Sequence, residues 1–381
     1  MQYNWQHPDW PNFYYQADQS RQALYQYALE AGRLSGGMSQ LEAGSHDEAY
    51  IDLMVNEAIN TSEIEGERLN REDVRSSIKN YLGLSTTYVR IADPRAEGIA
   101  SLIVDVRKTF NQPLTKQKLF QWQQMAIVQH PAPLLRPAVA TGQWRTTTSS
   151  MQIVSGAIGY EKVHFEAPPS SEVDSQMARF IEWFNASHPA TANDTLIPGP
   201  VRAAIAHLWF ESIHPFEGGN GRVGRAIVEQ ALAQDLGHPP LLSLSSEIEK
   251  DRNGYYDTLN AASKASMDIT PWVNWFADAV LRAQKDAATK VDFILKKAKF
   301  WDCHGQSEPP LNERQHKVIS KLFKAGPEGF EFGLSAKKYM AMSGCSKATA
   351  TRDLADLLAR RCLYRLEGGG RNARYGLKLD L

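Results

Sequence analysis

The segment with the most chemical content is IHPFEGGNGRVGR, from Ile213 to Arg225. A histidine and a proline end an apolar run, a glycine-rich stretch follows, and two arginines three residues apart open the next run. Glycines at 218, 219 and 221 allow φ > 0 and let several N–H groups converge on one point. A helix starting there adds free amides and the positive end of its dipole. Arg222 and Arg225 share one face of such a helix, and their guanidinium forks suit phosphate oxygens. The pattern is that of an anion cradle. The imidazole of His214 can accept a proton from a hydroxyl that attacks a bound phosphate. Taken singly, a histidine is more often structural and a glycine run more often a turn. Their combination within so few positions points to phosphate chemistry.

These residues resemble the motif of the Fic family, His-x-Phe-x-Asp/Glu-Gly-Asn-Gly-Arg-x-x-Arg, which His214, Phe216, Gly219, Asn220, Gly221, Arg222 and Arg225 match. The resemblance implies a protein adenylyltransferase that moves AMP from ATP to a Ser, Thr or Tyr hydroxyl of a target protein. His214 would be the general base, Asn220 and its neighbouring amides would hold the α- and β-phosphates, and Arg222 and Arg225 the β- and γ-phosphates. Val223 and Gly224 complete the implied nucleotide-binding stretch, and Phe216 would fix the loop from the core. Attack in line at the α-phosphate expels pyrophosphate, so positioning and charge stabilisation carry the reaction. One position departs from the family. Where it has a metal-binding Asp or Glu, this chain has Gly218, with Glu217 one place earlier. Mg2+ or Mn2+ is expected, held by Glu217 from a shifted position or by ATP and water alone.

A second segment, TSEIEG, resembles the family's inhibitory motif Ser/Thr-x-x-x-Glu-Gly/Asn, with Thr61, Glu65 and Gly66 in the matching places. The resemblance implies autoinhibition: Glu65 pairs with Arg225 and puts a carboxylate where the γ-phosphate belongs, the bidentate pairing being strong and specific. Relatives with this arrangement also use the glutamate to position a water for AMP removal. Read on its own, the string is a solvated acidic turn after a helix ending near Asn60.

The region from Trp144 to Phe165 is rich in Thr, Val, Gly and Tyr and lacks helical periodicity, so it reads as a hairpin or flap. In Fic proteins a hairpin here aligns the target by strand addition, and Ile153 and Val154 would be the contact residues. An ordinary hairpin over an apolar edge is the alternative. Downstream, DRNGYYDTL resembles the family segment lining the nucleotide pocket, which makes Asp251, Tyr255 and Tyr256 candidates for adenosine contact. Adjacent tyrosines on a helix face different ways, so at least one of the two belongs to the core.

The elements that must hold these groups are mostly helices, from apolar residues at three- and four-residue steps over about 19–33, 49–59, 71–82, 95–110, 116–128, 172–185, 201–213, 222–236 and 271–301. The N-terminal aromatics Trp5, Trp10, Phe13, Tyr14 and Tyr15 resemble an extension of one Fic subgroup. Packing on the helical body is their expected role, and a homodimer contact is left open. After the polar HGQSEPPLN linker, Asn312 and Ser346 can cap helices, with another over about 335–342 between them. Two short strands joined by GGGRN follow. This looks like a winged helix, with Lys347, Thr349 and Arg352 on its groove-reading helix and Arg371 and Arg374 at the wing.

The expected fold is therefore mainly α: an all-α Fic core with a small β-hairpin flap, plus a C-terminal winged helix (α+β). Its parts would be 1–112, an N-terminal helical region with the inhibitory helix; 113–303, the Fic core; and 311–381, the winged helix-turn-helix domain. The chain of 381 residues has net charge −1, yet from Leu311 onward 14 Lys and Arg stand against 7 Asp and Glu. That basic excess fits DNA, although winged helices also bind proteins. Three cysteines without zinc or disulfide spacing, no secretory signal and no long apolar run point to a cytoplasmic, non-membrane protein. The alternatives are transfer of another nucleotide and a DNA-binding regulator with a degenerate Fic body.

Overall fold

The computed structural model describes residues 3–40, 43–85, 87–128, 139–147, 151–155, 162–191, 196–264, 266–305, 308–326, 329–330, 332–366 and 373–380. Two compact units emerge, one of Met1–Gly32 with Tyr50–Lys285, the other of Arg33–Ala49 with Asp286–Leu381. The division falls within a long helix rather than in the polar linker after it.

The first unit takes residues from α1 (Ala17–Met38), α2 (Ala43–Ile64), α3 (Arg71–Leu82), α4 (Pro94–Thr109) and α5 (Lys116–Ala126). After a β-hairpin come α6 (Ser170–Ala186), α7 (Gly199–Ile213), α8 (Asn220–Leu236), α9 (Leu244–Lys250), α10 (Arg252–Ala262) and the start of α11 (Thr270–Gly305). The sequence of α7 is apolar on nearly all sides, and every one of its residues is buried. It packs along α8, which α4 and α5 also contact, while α6 covers α7. Local signals set many ends. Asn70 accepts from the Glu72 and Asp73 amides at the start of α3, and Gly83 closes it at φ 73°. Asp93 caps α4 ahead of Pro94, and Thr115 caps α5. Two elements differ from expectation. The helix expected to end near Asn60 continues as α2 through Ile64, so that only Glu65 and Gly66 of the TSEIEG segment form a turn, and α9 is an additional helix capped by Ser243.

The N-terminal aromatics do pack on this unit. Trp5 Nε1 donates to the Glu166 carbonyl at 2.7 Å, Trp10 Nε1 donates to Gln176 at 2.9 Å, and the Trp10 and Phe13 rings both meet Trp209 edge-on. The flap is β1 (Gln152–Ser155) antiparallel to β2 (Lys162–Glu166), pairing Ile153 with Phe165 and Val154 with Val163 across a register shift. Phe165 is buried and Ile153 exposed.

In the second unit, α12 (Glu313–Lys324), α13 (Ala336–Ser343) and α14 (Lys347–Ala359) lead to β3 (Leu363–Arg365), which pairs antiparallel with β4 (Tyr375–Leu377). Asn312, Ser335 and Ser346 cap the three helices. Val318, Leu322, Phe323, Tyr339, Leu354 and Leu357 share one core. Asp353 draws Arg314 and the Tyr339 hydroxyl together from α12 and α13, at 3.0 and 2.9 Å. No helix among the described residues is long and apolar enough to cross a membrane.

Candidate active site

The turn between α7 and α8 is built around a histidine in an unusual backbone state. His214 is the C-cap of α7 at φ 50°, ψ 60°, a left-handed conformation that costs a non-glycine residue energy. Arg145, fully buried, holds that turn. Its Nε donates to the His214 carbonyl at 2.8 Å and its amide donates to the Pro215 carbonyl at 2.9 Å. Burial without a carboxylate partner lowers the pKa of this guanidinium. Phe216 is buried, and the Asn220 side chain clamps it, accepting from its amide at 3.0 Å and donating to its carbonyl at 2.9 Å. Both polar ends of the Asn220 carboxamide are thus committed inside the loop. What Asn220 offers an anion is its backbone amide.

Of the three turn glycines, only Gly219 takes positive φ, at 84°, as the N-cap of α8. The free helix amides are those of Asn220, Gly221 and Arg222. Val223, expected in the nucleotide-binding set, gives its amide to the Gly219 carbonyl at 3.0 Å and buries its side chain, so it brings no free donor. Gly224 serves close packing instead: a Cβ there would lie 2.7 Å from Glu211 Oε1 and 3.0 Å from His207 Nδ1.

The N-terminus of α8 is covered by a carboxylate. Glu65 accepts from Arg225 Nη2 at 2.8 Å, and a Cβ on Gly221 would stand only 2.2 Å from Glu65 Oε1. The pairing is not the expected bidentate fork. Arg225 spends Nε on the Thr61 hydroxyl at 2.6 Å and also donates from Nη2 to the Thr61 carbonyl at 3.0 Å. The other arginine is masked as well. Arg222 Nη2 donates to Glu67 at 2.7 Å and its Nη1 to the Ala126 carbonyl. Arg252 donates to the Glu63 and Ile64 carbonyls at 2.9 and 2.5 Å and so ties down the end of α2.

Residues 113–232 match the Fic/DOC family. The chain carries a Fic/DOC domain. Residues 3–84, upstream of the Fic domain, match a domain of unknown function, DUF4172. A Drosophila yakuba protein named protein adenylyltransferase Fic is 35% identical over 168 residues, spanning 42% of this chain and 31% of its own length. One of the same name from Culex quinquefasciatus is 36% identical over 117 residues, 30% of this chain and 21% of its own. The chain thus spans under a third of the length of these curated relatives. The crystal structure of a Fic domain containing signaling protein from Bacteroides thetaiotaomicron aligns at TM-score 0.50 and 19% identity, over 72% of this chain and 96% of that one, and the two share a fold.

Beside the Fic turn, the three downstream candidates separate. Asp251 caps α10, accepting from Gly254 at 3.1 Å and from Trp275 Nε1 at 3.0 Å. Tyr255 is buried, with its hydroxyl 2.8 Å from His207 Nε2. Both are structural in their contacts. Tyr256 is exposed and, among the described residues, its ring meets only that of Tyr255, with burial and the Glu65 charge raising its phenol pKa. Glu217 accepts from the Ala140 amide at 3.1 Å, and a Cβ at Gly218 would face Val139 at 3.2 Å. The Fic turn therefore offers one half-committed carboxylate, and no group of three candidate ligands occurs among the described residues. That donor set does not fit a protein-held divalent cation.

Proposed function

We propose that this protein transfers AMP from ATP to a Ser, Thr or Tyr hydroxyl of a target protein, and that Glu65 restrains it. The observation that carries the reading is the Glu65 carboxylate seated against Arg225 and the Gly221 Cα, at the amide end of α8, where an anion is favoured. The relatives' name, protein adenylyltransferase, supports the same chemistry and a protein as acceptor.

With Glu65 displaced, the Asn220, Gly221 and Arg222 amides and the guanidinium groups of Arg222 and Arg225 take up the triphosphate. Imidazole Nε2 of His214 accepts the proton of the incoming hydroxyl. The new bond forms between that oxygen and the α-phosphorus as the bond to the β-phosphate oxygen breaks, and pyrophosphate leaves. Mg2+ or Mn2+ belongs with the nucleotide, as part of a metal–ATP substrate. The flap hairpin, with the exposed Ile153 on β1, offers the strand edge for the target. Removal of AMP by water activated near Glu65 is the reverse arm of the same proposal.

Labelling with ATP radioactive at the α-phosphate tests it. Glu65→Gly should raise self-labelling by about 10- to 100-fold, the worth of one charge-assisted hydrogen bond of about 1.5–3 kcal/mol. Adding His214→Ala should abolish it. Equal labelling with and without Glu65 would remove the restraint, and a panel of labelled nucleotides separates ATP from other donors.

We further propose that the second unit is a winged helix that binds duplex DNA through α14, on which Lys347 and Arg352 are exposed and Thr349 is half-buried. Arg374 precedes β4, and Arg371 lies outside the described residues.

A further inference from the structure

Glu211 is a buried acid with no role in the chemistry described so far. It lies on the wholly buried α7, one turn before His214, and is 8% exposed. Its Oε1 has no hydrogen-bond partner, and neither does Nδ1 of His214. Its Oε2 stands 3.6 Å from that same Nδ1. Burying a carboxylate is costly unless a donor meets it. The groups around Glu211 are the imidazoles of His207 and His214, with Arg225 acting at longer range. Burial pushes the Glu211 carboxyl up, but these cationic or proton-bearing neighbours outweigh it and hold the carboxyl below the ordinary value. Gly224 leaves the space the carboxylate needs, since a Cβ there would meet Oε1 at 2.7 Å. On the other side, Arg145 pins the His214 carbonyl, so the imidazole can adjust only by its own torsions.

We propose that Glu211 is the positioning residue for His214, accepting a hydrogen bond from Nδ1–H and thereby presenting Nε2 with its lone pair towards the attacking hydroxyl. This rests on the transferase reading for its catalytic meaning, although the tautomer is a property of the resting protein. At 3.6 Å the contact is too long for a formed hydrogen bond, and such contacts commonly tighten only once substrate is bound. In the reaction Nε2 gains the hydroxyl proton, the imidazolium then carries both N–H groups, and the Glu211 side-chain oxygen goes on accepting from Nδ1–H, so the ring keeps its orientation until the proton passes to solvent.

Ring-15N-labelled histidine in the full chain reads the tautomer directly, with His214→Ala identifying the signals. The wild type should show neutral His214 as the Nδ1–H form. Glu211→Ala should lose that preference, and the isosteric Glu211→Gln, which keeps a carbonyl acceptor, should retain it. On the Glu65→Gly background, Glu211→Ala should lower kcat for self-labelling by about 10- to 100-fold with KM for ATP within about twofold, and Glu211→Gln should restore most of the loss. An unchanged tautomer in Glu211→Ala overturns the proposal, as does a loss carried by KM alone or no rescue by Gln in a folded variant. If the Glu65→Gly parent transfers no nucleotide, the tautomer shift still supports the positioning while the transferase reading fails, so the two failures are separable.

Discussion

At the scale of single residues, both arginines of the proposed phosphate cradle are paired with carboxylates. Glu65 and Glu67 are alike in exposure, at 30% and 32% of the side chain, and each meets one arginine at 2.8 or 2.7 Å. Their consequences differ because Glu65 also lies over the Gly221 Cα, in the space an anion needs, whereas Glu67 only occupies one guanidinium group. A half-exposed ion pair is worth about 0.2–1 kcal/mol. Glu67→Gln alone should therefore raise self-labelling by no more than about fivefold, well below the effect of Glu65→Gly. Measured side by side, a larger gain from Glu67→Gln would move the main restraint to Arg222. The motif made Glu65 readable because it carries a fixed spacing from Thr61. Glu67 had no such mark, being two places on in a polar stretch, and only the fold brings it to an arginine 155 residues away.

At the scale of elements, the same limit explains which helix ends were readable. The bounds of α3 follow from Asn70 and Gly83, which act within a few residues of themselves. The end of α2 does not, because Thr61, Ser62 and Glu63 look like a polar exit. They stay helical because partners elsewhere satisfy them: Thr61 receives Arg225, Ser62 bonds back to the Ala58 carbonyl, and Arg252 takes the last carbonyls. Tertiary contact overrides local preference there. The candidate site was legible to the same degree: His214, both arginines and Glu65 were marked by the resemblance, and the fold pairs Glu65 with Arg225. Arg145, Glu211 and Arg252 were not, since they act through backbone carbonyls or through a side chain one turn away. Arg252→Ala should loosen the end of α2 without touching the cradle. The two hydrogen bonds it removes are worth about 0.5–1.5 kcal/mol each. Amide exchange around Glu63 to Glu65 should accelerate, and self-labelling should rise by about two- to tenfold. Faster exchange with unchanged labelling would show that Glu65 holds its place without the helix end beneath it.

At the scale of the whole molecule, a net charge of −1 conceals a basic C-terminal stretch. That stretch has its own core, in which burial pushes the Cys362 thiol up to about 11, leaving it unreactive near neutral pH, while Cys303 is exposed. In the native protein iodoacetamide should modify Cys303 and spare Cys362 until denaturant opens the unit. The orientation of α14 bears on what this unit binds. Asp353 faces inward to Arg314 and Tyr339, which turns Lys347, Thr351 and Arg352 to solvent as a polar, basic face with no carboxylate on its first turn. If that face and the wing together neutralise about four phosphates, affinity for duplex DNA should fall about a hundredfold between 50 and 200 mM salt. Lys347→Glu with Arg352→Glu should remove most of the binding and flatten the salt dependence. Fluorescence anisotropy with a labelled duplex at both salt concentrations makes the measurement. Association that is absent, or indifferent to salt and to the charge reversal, would leave the exposed face of α14 as a surface for protein rather than nucleic acid.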